Sequence, residues 1–243
     1  MKKSYIVLII LTIMSFYVSD KAILYIENLN PLMKEIKYKS DNLNSLPVNA
    51  IIEGNTIIPG VNGKSINIRE SFLKMNEFGA FNETFYVYDY IKPDISLNDN
   101  LDKIIVKGNK LDSVSIIYNG NLDINHTSLI SNTNEINNNN FINISSEEID
   151  FKNINNYIKR KKLNKICLIN YSNISLCRKY KYYIVKPNIE LTNNNYISNV
   201  SNINGGDIIY ISDDLKIEYI NHLLNELKYK NYKIIDLINI ISE

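Results

Sequence analysis

Beyond Gly108 the chain alternates short apolar runs with longer amphipathic ones, and that alternation permits few folds. Val114 to Tyr118, Lys165 to Ile169, Tyr182 to Val185 and Asp207 to Ile211 read as strands. Between them lie helical patterns. Glu147 to Lys161 is opened by Ser145 with Glu148 three residues on, the spacing of a capping box. A later helix carries Ile217, Ile220, Leu223, Leu224 and Leu227 at helical spacing, and Asp213 or Asp214 is its expected cap. Strands separated by helices bury their apolar faces by layering, so an α/β architecture follows.

Before Gly108 the pattern is different. Ala50-Ile51-Ile52, Thr56-Ile57-Ile58, Phe85 to Tyr90 and Lys103 to Lys107 are short strand-like runs, punctuated by Gly54, Pro59-Gly60, Gly63, Asn82 and Pro93. Ile68 to Phe78 is the single helical window, ended by Gly79. Residues 48–109 therefore read as a small β-rich subdomain and 110–243 as the α/β domain. Upstream, residues 22–47 read as a helical stalk interrupted at Asn30-Pro31 and followed by a polar linker. Compact structure is expected from about Val48.

Residues 1–21 read as a membrane anchor or signal segment. Lys2 and Lys3 precede a stretch from Tyr5 to Val18 without charge, followed by Ser19, Asp20 and Lys21. A positive flank before an apolar stretch keeps the N-terminus in the cytoplasm and sends the rest outward. The stretch is shorter than the roughly 20 residues that span a bilayer comfortably, but Ala22 to Ile26 continue its apolar character. No Ala-x-Ala site follows, which favours an uncleaved anchor over a cleaved signal. The expected membrane contact is residues 4–26, with the remainder extracytoplasmic. The protein is secreted if the segment is cut.

Composition excludes more than it selects. Hydrophobic residues make up 45% and charged residues 22%, which is globular rather than disordered. The formal net charge of +1 offers no attraction to nucleic acid, and Lys159-Arg160-Lys161-Lys162 fits the solvated, dipole-favoured end of a helix. Abundant Asn, Ile, Lys and Tyr without Trp is what an AT-rich genome imposes, so Asn-x-Ser/Thr matches such as Asn82-Glu83-Thr84 and Asn173-Ile174-Ser175 arise by chance. Cys167, in an apolar strand, and Cys177, on a helix, are expected as two separately buried small hydrophobes rather than a disulfide.

Asn30-Pro31-Leu32-Met33, Asn49 to Ile52, Ile57 to Gly63, Val114 to Gly120 and Gly205 to Ser212 are the segments by which the chain resembles divergent, membrane-anchored polysaccharide deacetylases of Gram-positive bacteria. The first three, with Ile95-Ser96-Leu97 and Ile104 to Lys110, are similar to the region that leads into the catalytic domain. Val114 to Gly120 resembles its first strand, where active members carry two aspartates, a general base and a metal ligand. Asn119 and Gly120 stand at those positions here. Asn134 to Asn143 resembles the second motif, with Asn139 and Asn143 in place of the two zinc-binding histidines. Gly205 to Ser212 is similar to the strand that delivers a late histidine, with Ser212 at that place. Leu223 to Leu237 resembles the closing helix and strand.

The resemblance implies a shortened, partly open parallel sheet with flanking helices, because too little chain lies between Tyr118 and Asn134 for the family's next helix and strand. It implies no cofactor, since carboxamides are weak neutral ligands, glycine has no side chain, and Asn cannot accept a proton at neutral pH. The expected protein is a catalytically inactive envelope scaffold that binds cell-wall glycan. The alternatives are an active zinc-dependent deacetylase with a rebuilt site, using Asp123, His126 and Asp207 or Asp213, and a non-enzymatic adhesion module. No Gly-x-Ser-x-Gly elbow or phosphate loop points elsewhere. Glu147-Glu148 and Asp213-Asp214 fit helix starts better than glycosidase pairs.

Overall fold

The computed structural model describes residues 2–118, 134–135, 148–161, 164–169, 174–212 and 214–243. Asn119, Gly120, Asp123, His126, Asn139, Asn143, Ser145 and Asp213 lie outside the described residues. The strands are β1 (Ile51–Glu53), β2 (Thr56–Ile58), β3 (Gly63–Ile66), β4 (Tyr88–Ile91), β5 (Ile104–Ile105) and β6 (Ser113–Tyr118). They continue with β7 (Asn134–Glu135), β8 (Ile166–Leu168), β9 (Tyr183–Val185), β10 (Ile189–Leu191), β11 (Ile208–Ile211) and β12 (Lys233–Ile234). The helices are α1 (Lys2–Leu29), α2 (Pro31–Ser40), α3 (Ile68–Phe78), α4 (Glu148–Lys161), α5 (Ile174–Lys179), α6 (Tyr196–Val200), α7 (Ile217–Tyr229) and α8 (Leu237–Ile241).

The chain divides into two units, Met1–Leu46 with Gly63–Ile91, and Pro47–Asn62 with Lys92–Glu243. Residues 48–109, expected as one subdomain, supply strands to both, and the segment expected as stalk and linker is packed. In the first unit Met33 and Ile36 of α2 are buried with Ile66, Phe72, Met75 and Tyr86. Asn30 caps α2 by accepting from the Leu32 N–H, with Pro31 at the first helical position, where its missing N–H costs nothing. Asn67 caps α3 likewise, and Gly79 ends it at φ 84°, a conformation that suits glycine. The run Phe85 to Tyr90 yields a strand only at its end, because residues 83–85 form a 3₁₀ turn.

The second unit carries the parallel sheets and flanking helices that the alternation predicts. Its strands form two sheets, β1-β2-β5-β9-β8 and β10-β11-β6-β12, with β7 also on β6; every pairing is parallel except the β1-β2 hairpin. The period-two alternation of strand side chains sorts the residues by face. Ile57, Ile105, Val185, Ile166 and Leu168 of the first sheet share one core with Ile117 and Ile208 of the second, closed by Leu237, Ile240 and Ile241 of α8. Outward, Val114, Ile116, Tyr118, Ile209 and Ile211 pack under α6 and α7. Cys167 and Ile184 pack with Ile158 of α4 and Leu176 of α5. Central β6 is buried along all six residues.

Two sequence expectations are overturned. Cys167 and Cys177 form a disulfide, with Cα atoms 6.3 Å apart, because the chain folds α5 back onto β8. Both are indeed fully buried, but against one another. Closing a loop with a sequence separation of 10 residues removes denatured-state freedom, so Cys177→Ser is expected to cost about 3 kcal/mol. Paired thermal melts with and without reductant check this, since the reductant should shift only the unsubstituted protein. The second concerns α7, which starts at Ile217 with Lys216 at the N-cap position and no side-chain cap. Asp214 lies further upstream and serves the loop instead.

Candidate functional site

The C-terminal ends of three parallel strands, β6, β7 and β11, lie side by side. Tyr118 at the end of β6 is in register with Ile211 of β11 on one side and Glu135 of β7 on the other. Ser212 directly follows β11, whereas Asn119, Gly120, Asn139 and Asn143 follow β6 and β7 in sequence and lie outside the described residues. Strand β7 lies beside the end of β6, at Ile117 and Tyr118.

Of the five positions at which the resemblance puts altered residues, Ser212 lies within the described structure. Its backbone N–H donates to the Leu191 carbonyl at 3.0 Å, and its hydroxyl donates to the Asp214 carboxylate. The Asn193 amide donates to the Asp214 carbonyl at 2.6 Å, and its oxygen accepts from the Lys216 N–H at 3.0 Å. Together these contacts tie the loop after β10 to the loop after β11. A hydroxyl spent on that loop is a poor substitute for an imidazole. Among the described residues no group of three His, Cys, Asp or Glu side chains is placed to hold a metal.

At the opposite end of β11 lies a polar node that the sequence did not single out. Asp207 is 2% exposed. Its carboxylate accepts from the Asn188 amide at 2.8 Å and the Asn204 N–H at 2.8 Å, and pairs with the Lys107 ammonium at 3.2 Å. The Asn188 oxygen accepts in turn from the Ile208 N–H at 2.8 Å. Beside it Gly108 donates to the Gly206 carbonyl and Gly206 to that of Ser113, each at 2.7 Å. The node joins the β5-β6 crossover to the starts of β10 and β11. Asp207 is thus engaged in structure at the wrong strand end, which removes it from the rebuilt metal set. Only the motif Gly205-Gly206-Asp207 hinted at it, since Lys107 is distant in sequence.

No family model matches the chain. A stretch of 81 residues is 37% identical to the uncharacterized protein YlxY of Bacillus subtilis (strain 168), covering 33% of this chain and 25% of that protein, so the chain spans about a quarter of that relative. The crystal structure of BA3943 from Bacillus anthracis, a CE4 family pseudoenzyme, superposes with a TM-score of 0.51 at 15% identity, over 88% of this chain and 96% of that one. A BA3943 mutant with restored enzymatic activity gives 0.52 at 14% identity, over 88% and 99%. The chain has a deacetylase-like fold. Within that fold the converging ends of β6, β7 and β11 are the place where the sequence resemblance puts the altered residues.

The other histidine-bearing feature of this deacetylase-like fold is a groove of about 380 Å³ on the helical layer, lined by Tyr196, Ile197, Val200, Glu218, Tyr219 and His222. Tyr196 and Tyr219 stack with centroids 4.3 Å apart, and the Tyr196 hydroxyl lies 2.7 Å from Nδ1 of His222. Burial, with the Glu226 charge behind it, pushes the Tyr196 phenol well above the ordinary tyrosine range, so it serves as a hydrogen-bonding phenol. His222 thus has the Tyr196 hydroxyl as a partner while its side chain stays 55% exposed.

Proposed function

We propose that this protein is an extracytoplasmic, membrane-anchored, catalytically inactive deacetylase-like scaffold of the bacterial envelope that binds cell-wall glycan. One observation carries the reading. The neighbouring ends of β6, β7 and β11 lead into segments whose residues at the family's chemical positions are Asn119, Gly120, Asn139, Asn143 and Ser212. Hydrolysis of an acetamide by this route needs a cation to polarise the carbonyl and ready the water, and a base to take the water's proton. Carboxamides, a glycine and a hydroxyl committed to Asp214 do not fit zinc and supply no base. Export is supported by α1, whose residues Ile9–Leu29 are long and apolar enough to cross a membrane, and by the disulfide, which persists in oxidising compartments.

The test uses the purified full chain in detergent with added zinc and a chitin oligomer or peptidoglycan. The expected result is acetate release no faster than in buffer and no stoichiometric zinc, together with retention of the protein on wall glycan. Zinc at one per chain with acetate release that a chelator abolishes would instead establish an enzyme with a rebuilt site. Failure to be retained on glycan would remove the scaffold role and leave an adhesion module as the reading.

A further inference from the structure

In the first unit α1 runs without a break past the charged pair Asp20-Lys21 to Leu29. The charge-free residues 4–19 supply about 24 Å of helix at about 1.5 Å per residue, against a hydrocarbon core of about 30 Å. The charge-free part alone is therefore short by about one helical turn, and the span of Ile9–Leu29 is reached only by using residues beyond Asp20-Lys21.

Beyond Ser19 the helix differs from one side to the other. At about 100° per residue, Asp20, Leu24 and Glu27 fall on one side and Ala22, Tyr25, Ile26 and Leu29 on the other. The first side is covered by protein. The Arg69 guanidinium lies 3.1 Å from the Glu27 carboxylate and 3.7 Å from that of Asp20, and Leu24 and Glu27 are partly buried. The second side is bare and uncharged, with Tyr25 and Ile26 each 67% exposed and Leu29 55%. It continues the apolar stretch that precedes it, and it carries a tyrosine, which favours the boundary between acyl chains and headgroups. Lys21, at the edge of this side, reaches back over the Tyr17 ring at 5.4 Å, as a cation at that boundary does.

We propose that the Ala22, Tyr25, Ile26 and Leu29 face of α1 lies in the lipid boundary and completes the short span on one side only, while Arg69 shields the carboxylates on the other. The inference rests on the reading of α1 as a membrane anchor. Its consequence is that the first unit sits on the bilayer surface instead of at the end of a free stalk. A lipid occupant accounts for the missing turn of span and for the continuity of the stripe, neither of which a second copy of the chain would explain.

The full chain is reconstituted into vesicles of phosphatidylcholine and phosphatidylglycerol after a polarity-sensitive fluorophore is placed by Ile13→Cys, Ile26→Cys or Tyr38→Cys. The chain's own cysteines are joined to one another and do not react. Lipids spin-labelled near the headgroup should quench the label at position 26 about threefold more than at position 38, which is 82% exposed on α2. If position 13 is quenched by acyl-chain labels while 26 behaves as 38 does, the anchor stands and the proposed surface is wrong. Quenching at none of the three overturns the anchor and this inference with it. Cross-linking of position 26 between copies, without lipid quenching, assigns the face to a second copy instead.

Discussion

Replacing Asp207 with alanine is expected to destabilise the second unit by about 2 to 3 kcal/mol, a substantial part of the roughly 5 to 15 kcal/mol that holds an ordinary domain together. The carboxylate is 2% exposed and satisfies three donors. Removing it leaves the Asn188 amide and the Asn204 N–H without this acceptor, but both residues are exposed and water takes up part of the loss, so each costs toward the lower end of the roughly 1 to 3 kcal/mol of an orphaned donor. The Lys107 ammonium contributes less to the loss, because its side chain is 30% exposed and can turn to water. Asp207→Asn, which keeps an acceptor but gives up the charge, should fall between the two. Chemical denaturation monitored by circular dichroism separates them. An alanine variant within about 1 kcal/mol of the original would mean that the node does not join the two sheets.

A single methyl group at Gly205 is expected to be worse tolerated than one at any other described glycine. A Cβ built there would penetrate the backbone carbonyl of Leu111, and a backbone atom cannot swing away as a side-chain tip does. Overpacking of well-filled sites costs about 1 to 3 kcal/mol, occasionally more. Gly205→Ala belongs at or beyond the upper end of that range, with loss of soluble protein as the readout. Gly79→Ala is the control, because its φ of 84° disfavours alanine while a Cβ would meet nothing within 4 Å. That variant should lose only about 1 kcal/mol. Equal effects at the two positions would show that conformation and not space governs Gly205.

Much of the scaffold was legible in the sequence because strongly patterned segments were also the ones that fold locally. Helix Ile68–Phe78 with its Gly79 stop, the Asn30-Pro31 start and the apolar repeat of α7 each declare themselves within one or two turns of chain. Distance along the chain conceals the rest. Strands β1 and β2 look like part of a separate small subdomain until β5 joins them to β9. Cys167 and Cys177 look like two unrelated apolar residues until α5 folds over β8. Asp207 looks like the start of a strand, yet its partners Lys107 and Asn188 come from other segments. Of the five positions at which the resemblance puts altered residues, only Ser212 lies within the described structure, where Asp214 occupies its hydroxyl. Nothing in the amino-acid pattern signals that pairing, because a serine two residues from an aspartate is an ordinary loop composition.

Strand β6 is flanked by β11 and β12, whose residues are separated from it by roughly half the chain, and the inner core is closed by Leu237, Ile240 and Ile241. Much of the second unit's core therefore depends on contacts between segments far apart in sequence. Such high contact order makes for slow folding and a long-lived unfolded chain. A core that waits on such distant partners leaves the chain loose for long enough to be threaded through a narrow channel before it collapses.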